Sequence, residues 1–138
     1  MIDWIKRRWA SRGTLPDSER AQLEQEGIEL LEERISGRVT YRGYEVGGQR
    51  PTTGDQPTIA ALAITPQRLA IHGTGNVHVN AGHGIVRSEA PEPELLVLRY
   101  EASDLYGSRS GSVEIELRTP RAADIHARLQ AWTQTSAS

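Results

Sequence analysis

The 138-residue sequence has no cysteine and no phenylalanine, and only one lysine, Lys6. Without cysteine there is no disulfide framework, no thiol nucleophile and no Cys-based zinc or iron–sulfur site. No apolar run approaches the ~20 residues needed to span a bilayer, and no signal-peptide core is visible. These absences lead us to expect a soluble, cytoplasmic protein. A strong basic excess is missing too: the formal net charge is −2, whereas a dedicated nucleic-acid binder is normally strongly basic. No nucleic acid is therefore expected among its partners. One domain is the default at this length, and a chain of ~150 residues buries close to 70% of its unfolded surface, enough for a core without covalent staples.

The charges present are unevenly placed. Residues 1–12 carry Lys6, Arg7, Arg8 and Arg12 against Asp3, a net +3. Residues 17–34 carry seven acids against Arg20 and Arg34, a net −5. The basic arm can pair with the acidic segment or face an anionic surface. Ile2, Ile5 and Trp9 recur at helical spacing within the arm, with Trp4 off that stripe. Such a stretch can dock on the domain or on a second copy of the chain. It can also sit in a membrane interface, with Trp at the headgroups and Arg toward lipid phosphates.

Thr14-Leu15-Pro16-Asp17 reads as a helix start, with Thr14 as cap, and Gly27 as its stop after about Glu26. Residues 28–34 fit either a continuing helix or a first strand. From Ile35 onward strand formers dominate, and Gly37 permits a bend or bulge. The stretch 47–57, GGQRPTTGDQP, reads as a loop by composition, and Thr58 to Thr65 as a buried strand. Pro66-Gln67 turns the chain into a hairpin partner at Arg68 to His72, with short strands following at Val77 to Asn80 and Ile85-Val86. A Pro- and Glu-rich break is expected at 89–94, a strand at Leu95 to Tyr100 and a polar loop at Asp104 to Gly111. Ser112 to Arg118 alternates, placing Val113, Ile115 and Leu117 inward. Thr119 as cap, Pro120 in the first turn, and Ile125, Leu129 and Trp132 on one face mark a final amphipathic helix, with a disordered tail at 134–138.

Catalytic and metal-binding patterns are weak. His72, His78 and His83 lie close in sequence, but their spacings fit no helical ligand pair and no acid or cysteine lies among them. We expect ordinary strand histidines and no metal. Gly73-Thr74-Gly75-Asn76 lacks the Gly-Lys-Ser/Thr end of a phosphate loop, and no G-x-S-x-G elbow occurs. Glu32-Glu33, Glu92/Glu94 and Glu114/Glu116 show no environments that would split their pKa values for acid–base work. Neither enzymatic activity nor a cofactor is expected.

About seven strands followed by one helix suit a partly open antiparallel barrel capped by that helix. The segment Ala63-Ile64-Thr65-Pro66-Gln67-Arg68-Leu69-Ala70-Ile71 resembles the strand–turn–strand signature of bacterial pleckstrin-homology-like (PH-like, GRAM-like) domains. Leu117 to Trp132 resembles their last strand and C-terminal helix, and Gly27 to Arg42 their first-strand region. The resemblance implies a mainly β, PH-like domain over residues 27–133, with residues 1–26 as an added arm and helix. It also implies non-catalytic binding of proteins, peptides or phospholipid headgroups. Headgroup-binding members carry basic residues on the first two strands, where this sequence offers Arg38, Arg42 and Arg50. Glu45 and Asp55 share that stretch, so solvated surface charge is the expected reading there and the arm is the stronger lead. The leading expectation is a module that binds another protein or itself. Peripheral contact with the inner face of the membrane is the second, and a small molecule or lipid held inside the barrel the third.

Overall fold

A computed structural model describes residues 13–47, 51–73, 76–80, 86–105 and 109–137. Helix α1 (Asp17–Glu26) precedes four strands, β1 (Leu30–Val46), β2 (Thr52–Ile64), β3 (Arg68–His72) and β4 (Asn76–Asn80). Strands β5 (Arg87–Glu92) and β6 (Leu95–Glu101), a one-turn helix α2 (Ala102–Leu105), strand β7 (Arg109–Arg118) and helix α3 (Ala122–Ala137) complete the chain. The strands form one antiparallel sheet in the order β4-β3-β2-β1-β7-β6-β5, curled into a half-barrel. The mainly β expectation with a C-terminal helix and an additional N-terminal helix therefore holds.

The order follows from the 17-residue β1, which pairs with β2 between Leu30 and Tyr44 along one edge and with β7 between Gly37 and Val46 along the other. A strand that long must bend to serve a curled sheet, and it does so at two irregularities, between Glu32 and Ile35 and between Tyr41 and Tyr44. Bulges add local twist and release backbone groups from the ladder. At the first, Arg34 takes φ 58° and its N–H donates to the carbonyl of Gly13 at 2.7 Å. Gly37 has a different role from the bulge expected of it. It lies opposite Leu117, and a Cβ there would overlap the backbone carbonyl oxygen of Glu116. The missing side chain lets β7 approach β1.

The main core fills the concave side of the sheet. Ile35, Leu62, Leu69, Leu98, Ile115 and Leu117 are among its buried members, and α3 closes it with Ala122, Ile125 and Leu129, with Trp132 half-buried beside them. Thr119 starts that helix: its Oγ1 accepts from the Arg121 N–H at 3.1 Å, and Pro120 stands in the preceding turn. The apolar run of β2 is continuous because both of its faces are covered. Ala60, Leu62 and Ile64 face the main core, while Ala61 and Ala63 join Leu15, Leu23 and Ala70 in a second cluster under α1.

Several local expectations are corrected. Residues 28–34 resolve as strand from Leu30, and β2 begins at Thr52, inside the stretch read as loop. The long β1 supplies a pairing edge that local composition does not reveal, with Gly54 opposite Tyr41 and Thr52 opposite Tyr44. β5 runs through Pro91, a residue tolerated because β5 is at the end of the sheet. Arg109 to Gly111 belong to β7. Thr14 does not cap α1, whose N-cap position is Pro16 with no side-chain bond. The last helix runs to Ala137, past the point where a disordered tail was expected.

Gly37→Ala should destabilise the fold by at least about 2 kcal/mol, toward the upper part of the range for overpacked sites, because backbone rather than a flexible side chain must yield. Urea unfolding checks this; a change below about 0.5 kcal/mol would show that β7 does not need the close approach.

Candidate functional site

Of the residues singled out in the sequence, Ile2, Trp4, Ile5, Lys6, Arg7, Arg8, Trp9 and Arg12 lie outside the described residues, as do Arg50 and His83. Arg38 and Arg42 both project from the exposed outer side of β1 but do different things. Arg38 donates to Asp55 Oδ2 on β2 at 2.8 Å, with both side chains about half exposed (53% and 52%). A pair of that kind contributes ~0–1 kcal/mol. Arg42 lines a hollow of about 610 Å³ on the β1–β7–β6–β5 half of the sheet, with Arg87 and Arg99. Arg99 is held across strands, donating to Glu114 Oε1 at 2.6 Å and to Glu89 Oε1 at 3.0 Å. The bond to Glu114 raises its pKa above the ordinary arginine value.

The barrel interior offers little room. The cavity among Val39, Ala60, Ile71, Val77, Tyr100 and Ile115 measures about 40 Å³, space for a few waters. A lipid or drug-sized ligand needs several hundred Å³. The hollow near the turn end of the β1–β2 hairpin is wider, about 470 Å³, and is bordered by Tyr41, Tyr44 and Arg109. There Arg109 donates to Tyr44 Oη at 2.7 Å, and the two tyrosine rings lie 5.2 Å apart.

The histidines have structural partners that the sequence did not advertise. Arg68 donates from Nη1 to His78 Nδ1 at 3.0 Å. Arginine is always a donor, so a neutral His78 carries its proton on Nε2, which faces Glu19 Oε1 of α1 at 3.2 Å. His72 Nδ1 lies 3.6 Å from the same carboxylate. Among the described residues no cluster of three or more His, Cys, Asp or Glu is arranged to hold a metal ion. His126 bonds the buried Ser88 hydroxyl through Nδ1 at 2.8 Å, which ties α3 to β5. Among the described residues no carboxylate contacts that imidazole.

The acidic segment has several counter-charges among the described residues. Glu19 faces His72 and His78, Glu26 pairs with Arg68 at 2.8 Å, and Glu33 with Arg20 at 2.7 Å. Glu29 lies 3.5 Å from Arg128 and Glu32 lies 3.9 Å from Arg121, both arginines of the C-terminal part of the chain. Among the described residues the counter-charges come from β3, β4, α1 and the α3 region. Glu33 is engaged through both oxygens, since its other oxygen accepts the Leu15 N–H at 3.1 Å. Burial pushes its carboxyl up, but the hydrogen bonds from Arg20 and Leu15 outweigh this and leave the pKa below the ordinary value.

No family model matches the chain, and no curated protein or solved structure matches it. No helix among the described residues is long and apolar enough to cross a membrane.

A lowered carboxylate pKa means that the stabilisation is present above the unfolded-state value, about 4.3 for glutamate, and is lost as the pH falls through the lower folded-state value. Glu33→Gln should therefore be less stable than the parent at neutral pH, and the gap should narrow steadily below that value. Urea midpoints across the acid range measure it. A gap independent of pH would remove the ionic part of the clasp.

Proposed function

We propose that the chain is a non-enzymatic interaction module of PH-like type that binds proteins through its exterior, with a second copy of itself as the first candidate partner. The observation that carries this reading is the open edge at β4. Among the described residues the sheet is not closed, and β4 has a strand neighbour on one side only. α3 packs against β5 and β6 at the other end of the sheet. In β4 the buried Val77 and Val79 alternate with the exposed His78 and Asn80, so a strand added beside β4 would extend a sheet already anchored in the core. Strand addition at such an edge draws affinity from main-chain hydrogen bonds. The small interior cavity supports the same direction, because it leaves the outer surface as the place for contact. Seven strands in a half-barrel with a C-terminal helix support the PH-like part of the reading.

Sedimentation velocity over a wide concentration range, combined with hydrogen exchange, tests the reading. A concentration-dependent dimer in which the β4 amides gain protection is expected, and Asn80→Lys should weaken it by placing charge on the edge. A monomer at every concentration, or a dimer that leaves β4 unprotected, would contradict it.

A further inference from the structure

The hollow beside Arg42 carries a charge arrangement that the fold itself does not use. Cross-strand register places Thr40, Glu114, Arg99 and Arg87 in one row across β1, β7, β6 and β5. The next row holds Arg42, Ser112 and Glu101, and Asp104 of α2 joins the lining. Arg99 is neutralised internally by Glu114 and Glu89. Arg42, Arg87, Glu101 and Asp104, in contrast, make no hydrogen bond or ion pair with the described residues. Two guanidiniums and two carboxylates around one hollow of about 610 Å³ thus have no side-chain partner among the described residues, with the Ser112 hydroxyl between the strands that supply Arg42 and Glu101.

The signs decide what can bind. A dianion such as phosphate would meet Arg42 and Arg87 but also the charges of Glu101 and Asp104, and a simple cation would meet the reverse. A ligand with a negative end at Arg42 and a positive end at Glu101 and Asp104 matches the order of the charges across β1, β7 and β6, with Arg87 one strand beyond Glu101. Neighbouring strands lie ~4.8 Å apart, so the backbones at Arg42 and Glu101, two strands apart, are ~10 Å from each other. An extended peptide covers at most ~3.5 Å per residue, so two or three residues match that distance.

We propose that this hollow is a binding site for short peptides with free termini, the carboxylate held by Arg42 and the ammonium by Glu101 and Asp104. Guanidinium forks suit a carboxylate, and charge-assisted bonds at both ends fix the direction of the peptide. The site is independent of the β4 edge and stands or falls separately from it.

The test is an amide-resolved NMR titration of the full chain with trialanine, N-acetyl-trialanine, trialanine amide, the doubly capped peptide and inorganic phosphate. Trialanine should give saturable shifts centred on residues 40–42, 99–104 and 112–114. Capping either end should weaken binding about tenfold or more, the worth of one charge-assisted hydrogen bond. Arg42→Gln should weaken trialanine and make binding indifferent to the C-terminal cap, and Glu101→Gln should do the same for the N-terminal cap. Both positions are exposed, and the dispersion of the amide spectrum reports that each variant is folded. Absence of shifts at millimolar peptide would overturn the proposal. So would equal binding of the doubly capped peptide, or phosphate binding as tightly as trialanine.

Discussion

Everything in this fold depends on one strand pairing along both of its edges while it bends. β1 joins the β2–β3–β4 half of the sheet to the β7–β6–β5 half. The two halves share a single core only because β1 curves between them at its two irregularities. The bends come with local requirements. The first places Arg34 in the left-handed region and hands its N–H to Gly13, which secures the chain leading into α1. Between the bends, β7 comes close enough to β1 that only glycine fits at position 37. Curvature, closure of the core and attachment of α1 are thus linked through the same 17 residues.

The polar surface is organised around α1. Its only buried side chain is Leu23, and burying one leucine contributes ~1.5–3 kcal/mol. The helix is further held by carboxylates that meet partners on other elements: Glu19 at the histidines, Glu26 at Arg68, and Glu33 reaching back from β1 to Arg20 and Leu15. Glu26 is bound on two sides by Arg68, Nε to Oε1 at 3.0 Å and Nη2 to Oε2 at 2.8 Å, and it also accepts from the Thr65 hydroxyl at 3.2 Å. That contact ties the end of α1 to the β2–β3 turn. α1 thus covers the outer side of β2 and β3, where Ala61, Ala63 and Ala70 are buried.

Features that rest on local chemistry were legible in the sequence. The run Thr58 to Thr65, the alternation Val113, Ile115, Leu117, and the Thr119-Pro120 start of the last helix each carry their own periodicity or cap. Gly27 ends α1 in the left-handed conformation expected of a C-terminal glycine. What was missed depends on partners far along the chain. Thr52 to Pro57 looks like a loop because its composition favours turns, yet β1 supplies a full pairing edge for it. Pro91 looks like a break, yet at the end of a sheet its missing N–H is harmless. The site was legible only in part. Arg42 was named from the sequence, but its association with Arg87, Glu101 and Asp104 arises from the β6–β7 and β5–β6 registers. The pairing of Glu19 with His72 and His78 spans more than fifty residues and has no signature in spacing.

The central claim is that β1 makes the two halves of the sheet a single cooperative unit. Native-state hydrogen exchange resolved by residue tests it most directly. The account predicts that amides in β1 from Ile35 to Tyr41 exchange only through global unfolding, with the same opening free energy as those in β2, β6 and β7. Separate opening of β2–β4 with α1 at a lower free energy than β5–β7 with α3 would contradict it.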